Sequence, residues 1–292
     1  MTTLTESLQK TAGLNYPLPL FSEASAVDTG LVKCAYSLSG ENWGEMNLFQ
    51  GDFINFGYWK KIPFFDKPIT LAERVASARA LYELTTAYSE LQHSDCVLEL
   101  GSGRGIGAIH TYNTFNPKRL FGIDLTPDQV RIASQLKKTT LGETSAVKFY
   151  VDNALFTEFE NTFFDKIYSV EMVQHLTSAN EFAKEMYRLL RPQGKLVFST
   201  YLPVSSKATR EWSTQYQNID AGIETATSIH EHKRCLQKAG FTNIQITSIG
   251  EHVFHGYDAW ARQVSPLNSY TYEHLKAYKQ GIVDYYIIIA SK

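Results

Sequence analysis

The hydrophobic pattern along this chain changes period several times, and each change marks an element. From Thr70, "TLAERVASARALYELTTAYSEL" places Leu71, Val75, Ala78, Leu81 and Tyr82 at helical spacing behind a Thr70/Glu73 capping-box pair. The pattern then alternates between short apolar runs and amphipathic stretches. "CVLEL" from Cys96 predicts a buried strand, followed by a glycine loop and the helix "GAIHTYNTF". "RLFGIDL" predicts a second strand. Thr126, Pro127 and Gln129 then supply a cap, a helix-start proline and a capping-box partner for "DQVRIASQLKK".

"VKFYVD" and "FDKIYSV" predict a third and a fourth strand. Ser178 and Glu181 cap "EFAKEMYRLL", whose Phe182, Met186 and Leu189 share one face; Pro192 and Gly194 end it before a fifth strand, "KLVFSTY". The helix "HEHKRCLQKAG" follows its own Ser228/Glu231 pair, and "NIQITSI" and "DYYIIIA" predict two more strands around a helical excursion near residues 250–280. Strand and helix alternating at this spacing predict right-handed βαβ units and a parallel sheet covered on both faces. Residues 1 to about 70 show weak periodicity and many aromatics, which predicts short helices and loops. No internal repeat or low-complexity linker interrupts the chain.

Composition narrows the function classes. The chain has 292 residues, 43% of them hydrophobic and 20% charged, and a net charge of −2, as in a globular protein without a strong nucleic-acid or anionic-membrane surface. Cys34, Cys96 and Cys235 are far apart and form no CxxC pair, which suits a reducing compartment and suggests no metal framework. The start "MTTLTESLQKTAGLNYPLPLF" lacks the pattern of a signal peptide, and no 18-residue apolar run occurs, so the expected location is the cytoplasm, off the membrane.

The candidate chemistry begins at "ELGSGRG", Glu99–Gly105, where a strand meets a helix. Glycines let a backbone turn sharply and approach a ligand closely. G-x-G also opens dinucleotide folds, but here Glu99 precedes the glycines, and a carboxylate there would repel a pyrophosphate. Asp124 ends the next strand, where it can accept from ribose hydroxyls, and Asp152-Asn153 ends the third, where it can meet an adenine edge. A nucleoside with a cationic amino-acid tail satisfies all three. Each residue alone has a plain alternative: Glu99 as a solvated strand-end carboxylate, Asp124 as a helix cap. Three together at successive strand ends make coincidence a poor account.

"VLELGSGRGIG", "IDLTPDQVRIA" and "YRLLRPQGKL" resemble the motifs of class I S-adenosylmethionine-dependent methyltransferases, over roughly Ala72 to Lys292. "FINFGYW", "IDLTP" and the S-x-E-x-x-x-H motif "SVEMVQH" (Ser169–His175) extend the similarity to small-molecule O-methyltransferases of natural-product pathways, those acting on sugars included. The resemblance implies a Rossmann-like, seven-stranded, mostly parallel α/β sheet with helices on both faces and an antiparallel last strand. It implies residues 1–70 as an arm or lid over the cofactor and 71–292 as the core, with substrate-side insertions near 201–229 and 250–280. Gly101, Gly103 and Gly105 would line the methionine part of S-adenosylmethionine, Asp124 its ribose, Leu125 and Asp152 its adenine, with Asn153 alongside. Ser102, Gln129 and Ala154 would complete that set, and Glu99 and Glu171 would stand at the methionine end. Tyr58 and Trp59, in the aromatic stretch "GDFINFGYWK", would cover the site.

Methyl transfer to an alcohol needs alignment and a base, and histidine titrates in the useful range. His175, just past the fourth strand, is the candidate base; by position alone it reads equally well as a surface histidine. Sugar methyltransferases of this kind carry an acidic residue at the end of the fifth strand, where this chain has Thr200. Either His175 works alone or another histidine contributes. His230 and His232 point to different faces of a helix start, so a shared metal site is not expected. His255, Thr200 and Tyr201 are candidate acceptor contacts, and the acceptor itself is expected to be a small molecule rather than nucleic acid or membrane. Transfer to nitrogen or carbon, or cofactor binding without catalysis, remain alternatives, as does homo-oligomerisation.

Overall fold

A computed structural model describes residues 47–51, 53–215, 224, 226–264 and 269–292. The first 46 residues of the predicted arm, and parts of both predicted insertions, lie outside the described residues. The seven strands are β1 (Cys96–Leu100), β2 (Arg119–Asp124), β3 (Val147–Val151), β4 (Phe164–Val170), β5 (Leu190–Pro203), β6 (Thr242–Ser248) and β7 (Val283–Ser291). They form one sheet in the order β3-β2-β1-β4-β5-β7-β6. Neighbours from β3 to β5 pair parallel, while β7 runs antiparallel to both β5 and β6. This is the expected Rossmann-like sheet with an inverted last strand.

Among the described residues the α-helices are α1 (Leu71–Ser89), α2 (Ile106–Phe115), α3 (Pro127–Leu141), α4 (Ala179–Leu189), α5 (Ser206–Gln215), α6 (Ile229–Ala239), α7 (Phe254–Val264) and α8 (Ser269–Lys279). Thr70 caps α1 through a complete capping box: its hydroxyl accepts from the Glu73 amide, and the Glu73 carboxylate accepts from the Thr70 amide. Ser178 and Ser228 accept from the Glu181 and Glu231 amides. Thr126 departs from the expectation. It is the cap residue of α3, but its side chain makes no capping bond. The amide that follows the strand is instead engaged by Asp124, whose Oδ1 accepts Thr126 N–H at 2.9 Å.

Period-2 alternation divides the core between the two faces of the sheet. Val97, Val197, Tyr285 and Ile287 face one apolar cluster, shared with α1, α7 and the segment around Phe56 and Trp59. Leu98, Phe198, Tyr286 and Ile288 face the other, closed by Phe182 and Met186 of α4 and Leu236 of α6. Helix α4 stops where Pro192 excludes helical geometry from the residue before it, so the chain passes directly into β5 at Leu190.

Phe182 is 1% exposed and meets Phe198 edge to face at 5.7 Å. Phe182→Ala is expected to cost about 3–5 kcal/mol by leaving a cavity under the sheet. Urea unfolding should show this as a lower midpoint with an unchanged slope.

Candidate active site

The carboxyl ends of the parallel strands open on one edge, and the loops leaving β1 to β4 meet there. After β1 the chain turns through Gly101, Gly103 and Gly105, all at positive φ. A Cβ at Gly101 would meet Met172 at 2.5 Å, and one at Gly105 would meet Phe149 and Ala133 below 3 Å; one at Gly103 would meet nothing within 4 Å. Gly103 is thus the glycine whose missing side chain leaves open space. Gly105 does not line the cleft as expected: it lets α2 pack against α3. The loop's amides are used internally. Ser102 N–H donates to Ile123 O, Gly103 N–H to Asp124 Oδ2 and Gly105 N–H to Ser102 O, each at 2.9 Å.

The cleft, its mouth included, encloses about 1060 Å³. Gly101, Ser102 and Gly103 form its floor, Asp124 and Leu125 one side, and Asp152, Asn153 and Ala154 the next. Gln129 reaches it from α3, and Glu171 and His175 close the β4 side. All eleven were singled out from the sequence. Ile54, Tyr82 and Arg104 also line it and were missed. Arg104 stands inside the glycine motif, which could have flagged it. Tyr82 was read only as part of the apolar face of α1, and nothing local marks Ile54. Ser102 Oγ and Gln129 Oε1 are buried with no hydrogen-bond partner among the described residues. With the open face of Gly103, these unused polar atoms fit a polar nucleoside ligand in the cleft.

Glu99 corrects the sequence reading. It does not line the cleft; it is fully buried behind it, facing α1 and α2. Tyr82 donates to Oε1 at 3.0 Å and Tyr168 donates to Oε2 at 2.9 Å, with Thr111 Oγ1 3.2 Å from the Tyr168 hydroxyl. Thr111 Oγ1 is itself a hydroxyl and can donate to Tyr168, so both tyrosines donate to the Glu99 carboxyl. Burial pushes the Glu99 pKa up to about 8, against the two tyrosine bonds that favour the carboxylate. A neutral acid behind the loop is not the countercharge that E-x-G-x-G suggested.

Glu171 does reach the cleft. It directly follows β4 in a left-handed conformation, φ 51°, with its own amide held by Ser199 O at 2.8 Å. Its Oε1 accepts from the Phe56 amide at 2.8 Å and from Tyr285 OH at 2.9 Å. Burial raises its pKa to about 8, against those two bonds and the nearby Arg74 guanidinium. The short turn Val173–His175 follows and carries His175 into the wall.

The remaining expectations miss the cleft. Trp59 is buried, donates its indole N–H to Phe56 O at 2.9 Å, and packs so closely on α7 that a Cβ at Gly256 would meet it at 2.2 Å. Tyr58 crosses the His252 ring edge to face at 5.5 Å. Both anchor the segment, and neither lines the cleft. Thr200 is buried and donates to Gln174. Tyr201 stacks on Phe56 and donates to Glu224 at 2.7 Å. His255 lies in a separate surface recess beside Trp59 and Phe64. Buried His232, its pKa lowered to about 4 by desolvation, and exposed His230 sit on opposite sides of α6. Among the described residues, no group of three or more His, Cys, Asp or Glu side chains is placed to hold a metal, and no helix is long and apolar enough to cross a membrane.

A seven-stranded sheet with one inverted strand, β7, a glycine loop after β1 and acidic residues at the ends of β2 and β3 defines an enzyme class, the S-adenosylmethionine-dependent methyltransferases. The comparisons agree. A family model described as a methyltransferase domain matches residues 71–246, and this chain belongs to that family. It is 26% identical over 226 residues to erythromycin 3''-O-methyltransferase of Saccharopolyspora erythraea, covering 74% of this chain and 70% of that protein. It is 24% identical over 228 residues to 27-O-demethylrifamycin SV methyltransferase of Amycolatopsis mediterranei, covering 78% and 80%. Geranyl diphosphate C-methyltransferase of Streptomyces coelicolor, solved with Mg²⁺, geranyl diphosphate and S-adenosyl-L-homocysteine, superposes with a TM-score of 0.70 at 18% identity, over 81% of this chain and 90% of that one. At that identity the structural likeness speaks for the fold.

The raised Glu99 pKa gives a stability prediction. The ordinary value is 4.5 and the folded value about 8, so the native state holds a proton that the unfolded chain releases. Its contribution is complete below pH 4.5 and is lost as pH rises toward about 8. Glu99→Gln cannot ionise. Its stability relative to wild type should therefore climb between about pH 5 and about pH 9 in urea titrations. A constant difference across that range would contradict a neutral Glu99.

Proposed function

We propose that this enzyme transfers the methyl group of S-adenosylmethionine to a hydroxyl of a small-molecule acceptor, with His175 as general base. One observation carries the reading: His175 lines the same cleft as Gly101, Gly103, Asp124 and Asp152. A base and a nucleoside site thus share one wall. Two relatives named for oxygen-bearing targets, erythromycin at 3''-O and 27-O-demethylrifamycin SV, support an oxygen acceptor.

In this reading the ribose hydroxyls donate to Asp124, whose oxygens are already oriented by the Gly103 and Thr126 amides. Leu125 lies against the adenine and Asp152 accepts from its amino group, with Asn153 beside it. Gly101, Ser102 and Gly103 hold the methionine part. When bound, S-adenosylmethionine supplies an electrophilic methyl carbon whose sulfonium leaves as a neutral thioether. His175 takes the acceptor's hydroxyl proton as the oxygen–carbon bond forms, then returns it to solvent. Ile54 and the backbone around Phe56, bound to Glu171, exclude water from above. The described part of the 1–70 arm thereby serves as the cover of a core spanning 71–292.

The reaction can be assayed before the acceptor is identified. Radiolabelled methyl donor and a panel of hydroxylated metabolites should give a labelled product whose new methyl is on oxygen by mass spectrometry. His175→Gln should lower turnover about 10²- to 10⁴-fold while cofactor affinity by calorimetry stays the same. Near-normal turnover in that variant would leave nitrogen or carbon as the acceptor atom.

Glu171 gives a second readout. Its carboxyl pKa is about 8 without ligand, and a cationic ligand favours the ionised form. Binding at about pH 7 should therefore release a proton, and affinity should rise as pH approaches 8. Calorimetry in two buffers of different ionisation enthalpy measures that proton. The release should vanish in Glu171→Gln.

A further inference from the structure

We infer that Gln174 is a positioning residue that fixes the tautomer of His175, placing the neutral ring's proton on Nδ1 and the basic lone pair on Nε2. The inference rests on His175 being the base, and it comes from three contacts of one buried amide. Gln174 Nε2 donates to the Glu171 carbonyl at 2.9 Å. Gln174 Oε1 accepts from the Thr200 hydroxyl at 2.8 Å. The same Nε2 lies 3.3 Å from His175 Nε2.

The amide's orientation follows from its partners rather than from its shape, since oxygen and nitrogen look alike. Reversed, it would set two acceptor oxygens 2.9 Å apart at Glu171. That carbonyl can only accept, so the nitrogen must face it. An amide nitrogen carries two protons; it donates one to Glu171, and it also stands 3.3 Å from His175 Nε2. An N–H donor beside Nε2 is compatible only with a lone pair on that atom, so the proton of the neutral ring goes to Nδ1.

Each part is held. Gln174 is 4% exposed and Thr200 fully buried, so water does not compete for the amide. Thr200 sits on β5, paired with Tyr286 of β7 in the middle of the sheet. Glu171 is fixed from both chain directions by its bonds to Ser199, Phe56 and Tyr285. The contact to His175 is the longest of the three. An acceptor hydroxyl can replace it at Nε2 while Gln174 stays anchored at its other two bonds. The hydroxyl proton then moves to Nε2 as the acceptor oxygen takes the methyl. Thr200 thus has a role that needs no ionisation: it aims an amide.

The test is nuclear magnetic resonance of protein labelled with ¹³C and ¹⁵N in histidine, at a pH where the ring is neutral. The His175 signals are assigned by their loss in His175→Gln. In wild type the Nδ1–H form, the less common one in water, should predominate. Gln174→Leu should convert most of it to Nε2–H, Thr200→Val should convert part, and Thr200→Ser should keep the wild-type pattern. Unchanged signals from buried His232 report an intact fold. If Gln174→Leu does not fold, Thr200→Val decides. Predominant Nε2–H in wild type, or no change in the deciding variant, overturns the inference. The spectra are recorded without acceptor or cofactor, so they stand apart from the His175→Gln turnover assay, which alone judges the base.

Discussion

Glu171 is where the structure is tied together. It directly follows the central strand β4, and its amide, carbonyl and carboxylate each bind a different part of the chain. The amide holds β5, the carbonyl sets the Gln174 side chain, and the carboxylate joins the Phe56 amide to Tyr285 of β7. Arg74, itself buried, donates to Asn55 O at 2.6 Å and so holds the same segment from α1. The left-handed backbone at Glu171 is a strained choice for a residue with a side chain. It turns the carboxylate toward the cleft while the chain continues into the turn that carries His175. The segment around Phe56, the turn that carries His175 and the last strand therefore share one anchor.

Burial governs the charge of the site as much as composition does. Two carboxyls, Glu99 and Glu171, are both held near pKa 8 by desolvation, one behind the glycine loop and one in the wall. Glu99 is satisfied by tyrosines and has no route to a ligand. Glu171 sits where a cation can reach it. The same physical cause thus gives one carboxyl a purely structural position and the other a response to ligand charge.

Local patterns carried most of the fold. Period-2 runs, cap residues and Pro192 located seven strands and most helix ends, because each of these is decided within a few residues. The cleft wall was legible for the same reason: Asp124 ends β2 and Asp152 directly follows β3. What escaped depends on contacts across the chain. Trp59 looked like a cover until its place against Gly256, almost two hundred residues on, made it an anchor. Glu99 was assigned to the right strand and the wrong face, since a strand buried on both sides has no polar face to orient it. Thr200 read as a missing acid, because its partner Gln174 lies on a different strand end.

The glycine loop itself separates this site from the dinucleotide folds it resembles in sequence. A phosphate-binding loop presents free amides to its ligand at a helix start. Here Ser102, Gly103 and Gly105 amides are all donated inward, to Ile123, Asp124 and Ser102. The Gly103 amide, the one beside the open space, is the one Asp124 takes. A pyrophosphate in this cleft would find that donor occupied and Asp124, Asp152 and Glu171 in the walls against Arg104. A nucleoside with a cationic tail needs none of those amides and is favoured by ionised carboxylates. The selection against a phosphate-bearing cofactor is therefore built into one hydrogen bond, between the second glycine of the motif and the acidic residue twenty-one positions later.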